Sequence, residues 1–425
     1  MVEEEIVRSM QEIGELFVSL HAKHKRLMKQ KLYLLSLIMS ALPFTEKAGA
    51  QEVTLTITNP GHNQRQELAE ASLQTVCELL GTDSTVPLKV RNALGQEMPY
   101  QKSHDGKLLL SVTLQPESQV VYTVTKGEPK AFKSQVSGRI YPERLDDLTW
   151  ENDRGIYRIY GPALQRKGEQ SFGTDVWVKN TPEPVVEYRY RQHMDGWRQG
   201  DSLRKAGKKE EGEELFRNTS FHLDHGQGMD VYSVGPSLGC GAPALMKDGQ
   251  LVFPYCFKDC KILDNGPLRF TAELTYGTTD AGTTEHRRIS LDKGSHYNRM
   301  TVWYDGIKSP TALATGVVLH GSDRLITDKK YILYADPTDN PKVHQSLIFV
   351  GTLFPDTADE AIELSGKPNH AVGIIRQYKG QPYTYYFGSA WSLYDVPTMA
   401  HWQLLADEYL ENIKTPLTIK ITKTK

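Results

Sequence analysis

The chain is short of cysteine, of net charge and of long apolar runs, and each shortage removes a class of protein. Four cysteines in 425 residues (Cys77, Cys240, Cys256 and Cys260) cannot staple a disulfide-dense scaffold. Cys256 and Cys260 are spaced for a disulfide in an exported protein, but no second pair follows to complete a zinc site. The other reading of the four is buried free thiols. Fifty basic against 52 acidic residues leave a net charge of -2. That lacks the basic excess of a nucleic-acid binder. No internal repeat with a fixed period is visible.

The one sizeable apolar run, Leu32 to Phe44, is too short for a membrane span. It follows Lys29 and Lys31 and precedes Ala48-Gly49-Ala50, the layout of a signal peptide beginning at Met28 and cut after Ala50. The expected location is periplasmic or secreted, with no membrane contact after cleavage. The charged residues before Met28 read as a non-native extension, and no cysteine follows the apolar core to carry a lipid.

What is present is strand. From Gln51 on, runs such as EVTLTI, VCELL, VPLKVRN, KLLLSVTL and VVYTVTKG are separated by turn residues such as Asn59-Pro60-Gly61. They predict a small β-sandwich over 51–130. The region 138–425 continues with runs such as VVEYRYR, LRFTAELTYG and YTYYFGSAW. It predicts a large antiparallel β-domain, making the chain all-β. Helix is expected only at Gly200–Arg217, which is dense in charge, and at Pro397–Ile413. Twenty-one tyrosines against twelve phenylalanines suit either sugar faces or strand propensity.

Two segments concentrate ionisable groups. HLDHGQGMDVY carries His222, Asp224, His225, Asp230 and Tyr232, with Gly226 and Gly228 allowing sharp bends. Read as a strand, it points His222 and Asp224 the same way. The group suits a metal such as calcium or a proton-transfer site; the competing reading is a polar turn. Trp150, Glu151, Asn152, Asp153, Arg154 and Arg158 form the second group. Read as a strand, Arg154 and Arg158 share a face and can grip a carboxylate; the competing reading is internal ion pairing. Trp197, Tyr385 and Trp391 are further candidates for stacking on sugar. His320 reads as a structural histidine ending an apolar strand.

WENDRGIYRIYGPA, DHGQGMDVYSVGPSLGCG and YTYYFGSAWS, in that order, resemble the secreted bacterial domain-of-unknown-function family 4861. The resemblance spans about Tyr141 to Ile421. It implies a galactose-mutarotase-like supersandwich and an association with polysaccharide degradation. It marks Glu151 to Arg154, His222, Asp224, Gly226, Gly228 and Asp230 without giving them roles. The resulting expectation is a carbohydrate-active protein acting on an acidic, pectin-like glycan by β-elimination or hydrolysis. A non-catalytic glycan binder and a mutarotase-like epimerase are the alternatives.

Overall fold

The computed structural model describes residues 51–321, 324–337 and 346–424. The leader expected at Met28–Ala50 lies outside the described residues. The N-terminal part is a small sandwich. One antiparallel sheet runs in the order Thr418–Lys423, Glu52–Thr58, Gln119–Lys126, Leu88–Asn92, Glu97–Met98. A three-stranded sheet of Arg65–Ser72, Lys107–Leu114 and Tyr100–Lys102 shares its core. Alternate residues leave opposite faces of a strand, so Val53, Leu55 and Ile57 are buried together. The edge strand Thr418–Lys423 comes from the far end of the chain and pairs antiparallel with Glu52–Thr58.

The rest is a large antiparallel supersandwich. Its main sheet has eight strands, running from Phe257–Asn265 at one edge to Leu325–Asp328 at the other. A five-stranded sheet centred on Thr311–Leu319 and a four-stranded sheet centred on Ile156–Ile159 and Asp147–Glu151 share one core with it. The helix Met399–Lys414 buries Trp402, Ala406 and Leu410 against the main sheet, and the Thr398 hydroxyl caps its start. This is the all-β architecture expected, a small sandwich followed by a large one with few helices. Among the described residues no helix is long and apolar enough to cross a membrane.

Two segments expected as strands are helices. VCELL belongs to Leu73–Leu80, with Ser72 as its N-cap and Gly81 closing it in the left-handed region. Leu73, Val76, Cys77 and Leu80 are its buried face, a spacing of helical period. VEYRYR opens the long helix Val186–Lys205, which buries Val186, Arg189, Tyr190, His193, Gly196 and Gly200. The alternation of its Tyr and Arg residues mimics a strand, but the inward face repeats every three or four residues. A second helix, Lys209–Thr219, lies against it. The two touch at glycines: a Cβ on Gly200 would sit 2.8 Å from the carbonyl oxygen of Gly212.

Candidate functional site

The Trp150–Arg158 segment is two strands, not one. Asp147–Glu151 and Ile156–Ile159 are joined by a turn through Asn152 and Gly155, so Arg154 and Arg158 go to different places. Most of this motif holds the fold together. The buried Glu151 carboxylate accepts Lys179 Nζ at 2.8 Å and the Val185 and Val186 N–H groups at 2.9–3.0 Å. It therefore supplies the missing N-cap of the long helix. Asn152 Oδ1 accepts the Arg154 and Gly155 N–H groups, while its Nδ2 donates to the Asp292 and Ser295 carbonyls. Asp153 accepts the Gly294 N–H at 2.6 Å. Trp150 lies in the core between Tyr157 and Phe270 and donates to Asn298.

Arg158 is buried, with Asp175 Oδ2 at 2.5 Å and Asp230 Oδ2 at 3.0 Å, both on the same nitrogen. Tyr160 lies at 3.1 Å from that nitrogen. Burial pushes the Asp175 carboxyl up to about 7 against the pull of Arg158, with Asp230 adding to the rise. A guanidinium fills the space between the two aspartates. It leaves no room there for a sugar to be attacked by one and protonated by the other, and Arg158 itself is not free to clamp a substrate carboxylate.

The His222 segment is a loop with tight turns, not a strand, so His222 and Asp224 do not share a strand face. Asp224 Oδ1 accepts the N–H groups of Gly226, Gln227 and Gly228 at 2.8–3.1 Å. It is a turn cap. His225 donates Nε2–H to the Ser220 carbonyl and is exposed. Among the described residues no three His, Cys, Asp or Glu side chains gather to hold a metal. The calcium reading finds no donor set there. All four cysteines are free thiols, so Cys256 and Cys260 are not bridged.

His222 differs from its neighbours. Its Nδ1 lies 2.9 Å from the Asp230 carbonyl, which can only accept, so Nδ1 carries the proton and Nε2 keeps its lone pair. The side chain is 56% exposed. Burial of the ring, together with Arg158 and Arg144, holds its pKa below 6.5, against the pull of the Asp230 carbonyl. Arg144 lies on the rings of Phe221 and Tyr190, 5.1 and 5.2 Å from their centres. Its charge acts on the buried Asp147 carboxyl, and it forms no ion pair within 4 Å among the described residues. Arg189, on the long helix, donates to the Ser220 and Leu223 carbonyls and fixes the turn that presents His222. His193 packs on Phe221, and burial with Arg144, His222 and Arg189 nearby drives it down to about 4.

A second imidazole flanks the other end of the Asp230–Tyr232 segment. His320 Nδ1 meets Asp336 Oδ2 at 2.6 Å, and the Tyr334 hydroxyl accepts its backbone N–H at 3.0 Å. The carboxylate fixes the tautomer and leaves Nε2 for another partner. The Tyr232 ring stands edge-on to His320 at 5.7 Å. Its hydroxyl is buried without a hydrogen-bond partner among the described residues. Burial raises its pKa, and the charges of Cys240, Asp336 and Asp175 add to the rise.

The comparisons with known proteins bear on this geometry. The model of the family described as "Domain of unknown function (DUF4861)" matches residues 57–419. The chain belongs to the DUF4861 family. An uncharacterized protein of Formosa agariphila is 29% identical over 334 residues, covering 74% of this chain and 78% of its own. A protein in glycosyl hydrolase family 38 from Enterococcus faecalis superposes with a TM-score of 0.50 at 12% identity. That match covers 89% of this chain, which spans only 48% of the solved structure. At that identity the likeness concerns the fold alone, and it agrees with a galactose-mutarotase-like supersandwich.

Within this DUF4861 chain, the aromatic candidates separate from the site. Tyr385 is buried and its hydroxyl donates to the Gly241 carbonyl at 2.6 Å. Trp391 is buried and donates to Ser346. Trp197 is 54% exposed on the long helix. Reading the sequence missed Arg144, Asp175, His320 and Asp336 as a group. No spacing signals them, because they are scattered along the sequence and only the fold sets Arg144 beside Phe221 and Asp336 beside His320.

Proposed function

We propose that this DUF4861 protein is an exported carbohydrate-active enzyme that removes a proton from an acidic sugar, with His222 as the base. The observation that carries the reading is Arg144, a guanidinium with no ion pair within 4 Å among the described residues, resting on Phe221 beside a neutral, half-exposed imidazole. β-Elimination of a uronate needs a cation on the carboxylate, a base for the neighbouring C–H and an acid for the leaving oxygen. Arg144 supplies the first and His222 the second. Arg158 is a positioning residue: it holds Asp230, whose carbonyl fixes the His222 tautomer. The Tyr232 hydroxyl is the available proton donor, and His320, oriented by Asp336, stands edge-on to its ring. The supersandwich shared with a glycosyl hydrolase family 38 protein supports a carbohydrate as ligand.

The test is incubation with uronate-containing oligosaccharides while following the ultraviolet absorbance of an unsaturated uronate. Appearance of product that is lost in His222→Ala supports the reading. Binding without turnover in the unmutated protein would mean a glycan-binding protein instead. Export is tested by N-terminal sequencing of the secreted chain, expected to begin at Gln51.

A further inference from the structure

Of the six tryptophans, Trp150, Trp177, Trp391 and Trp402 donate their indole N–H to a partner inside the fold. Trp303 stacks on His286 at 5.0 Å. Trp197 does neither. Among the described residues it has no hydrogen-bond partner, no ring contact and no guanidinium on its faces, and it is 54% exposed. An indole left in water is an apolar plane with a polar edge, which a ligand of the same character can cover.

The surroundings of Trp197 tie it to the His222 centre. It follows Gly196, where the long helix comes so close to Thr219 that a Cβ would overlap the Thr219 side chain. Thr219 is three residues before His222. One turn earlier on the same face of the helix is His193. Its ring lies 4.2 Å from that of Phe221 and 6.1 Å from that of His222. Helix side chains lean toward the N-terminus, so the indole leans over the turn that bears His193. The step from His193 to Trp197 is about 6 Å along the helix axis, comparable to the length of one pyranose ring.

The indole stands alone rather than in a patch. Tyr188 is the other large exposed apolar side chain of this helix, and nine positions at about 100° per residue put it on the opposite side. A protein-binding face needs a wider apolar area than one indole. A sugar offers a flat C–H face the size of one ring, with hydroxyls at its rim.

We propose that Trp197 stacks the sugar ring next to the uronate held at Arg144 and His222, which makes the protein selective for chains over single sugars. This rests on the reading of His222 as the base and adds a second position to that site.

The experiment compares two substrates of the whole protein. One is a uronate oligosaccharide; the other is a single uronate ring methylated at its anomeric and 4-oxygens, which has no neighbour to stack. The readout is the ratio of their kcat/KM values. Where a compound is not turned over, its binding constant by calorimetry takes the place of kcat/KM. Trp197→Ala is expected to lower the ratio roughly tenfold, through the KM of the oligosaccharide, with an unchanged melt. Trp197→Tyr keeps a ring and should restore most of the ratio. Should Trp197→Ala lower the melt, Trp197→Gln, with a long side chain and no ring, takes its place. An unchanged ratio, including an equal loss on both compounds, overturns the proposal. Absent turnover of both compounds in the unmutated protein sinks the His222 reading instead, and the ratio of binding constants still decides on Trp197. No binding of the oligosaccharide to the unmutated protein overturns both.

Discussion

The two charged motifs make a useful pair. The Glu151–Asp153 turn and the His222–Asp230 loop look alike in composition, yet the first is hydrogen-bonded almost to saturation and the second is not. Glu151 accepts the Val185 and Val186 N–H groups as well as the Lys179 ammonium. Asn152 and Asp153 tie the same turn to Asp292, Gly294 and Ser295. His222 keeps one nitrogen open beside the Arg144 guanidinium, which has no ion pair within 4 Å among the described residues. Charge density in the sequence marks both. Only the second has hydrogen-bonding capacity left over for a ligand, and that remainder separates a site from a brace.

The sharpest way to break this contrast is to substitute Glu151. Glu151→Ala strands the buried Lys179 and uncaps the long helix, and should cost about 3–5 kcal/mol of stability. A urea titration checks it; a loss within the spread of surface substitutions would erase the distinction. His222→Ala should do the opposite. It should lower turnover on an acidic glycan ~100-fold or more with little change in the melt, because the side chain is half-exposed. Arg144→Leu should lose roughly tenfold or more in kcat/KM on the acidic glycan and much less on any uncharged analogue. A loss equal on both would show that Arg144 only packs.

Asp224→Ala should be milder. It uncaps a turn held by three N–H groups, costing ~1 kcal/mol, and should reduce turnover only through displacement of His222. A complete loss of turnover with an unchanged melt would make Asp224 a reacting group.

The smallest effect expected is in pH dependence. His193 and His370 stay neutral in the fold down to about 4, while an unfolded imidazole takes its proton near 6.5. Their contribution to stability is present above pH 6.5 and lost as pH falls toward about 4. Asp175 works against them. Its folded value near 7 lies above its ordinary 3.8, so its contribution is present at low pH and lost as pH rises through that window. Asp175→Asn should therefore steepen the loss on acidification, measured as melting temperature against pH.

Much of the architecture was legible in the sequence, because strands bounded by turn residues announce themselves. The C-terminal helix was readable from its spacing and its proline. The Tyr188–Arg191 helix was not, because alternating Tyr and Arg imitate a strand, and its cap is a carboxylate 35 positions upstream of Val186. Tyr385 and Trp391 looked available to a sugar because a strand packed on both faces shows the same aromatics as one half open to solvent. At His222 the polar turn was only the competing reading, and the expected strand face shared by His222 and Asp224 did not form because Asp224 caps the glycine turn. The open nitrogen of His222 was not legible, because that depends on a carbonyl eight residues on, held in turn by Arg158.

The pairing of Thr418–Lys423 with Glu52–Thr58 sets an order of events. The first sheet to be synthesised lacks its edge strand until Thr418–Lys423 has been made, some 360 positions later. Until then the Glu52–Thr58 backbone presents an unpaired edge, which invites pairing with other chains. A chain shortened before Thr418 should therefore aggregate through Glu52–Thr58, although the residues removed lie far from that strand in the sequence.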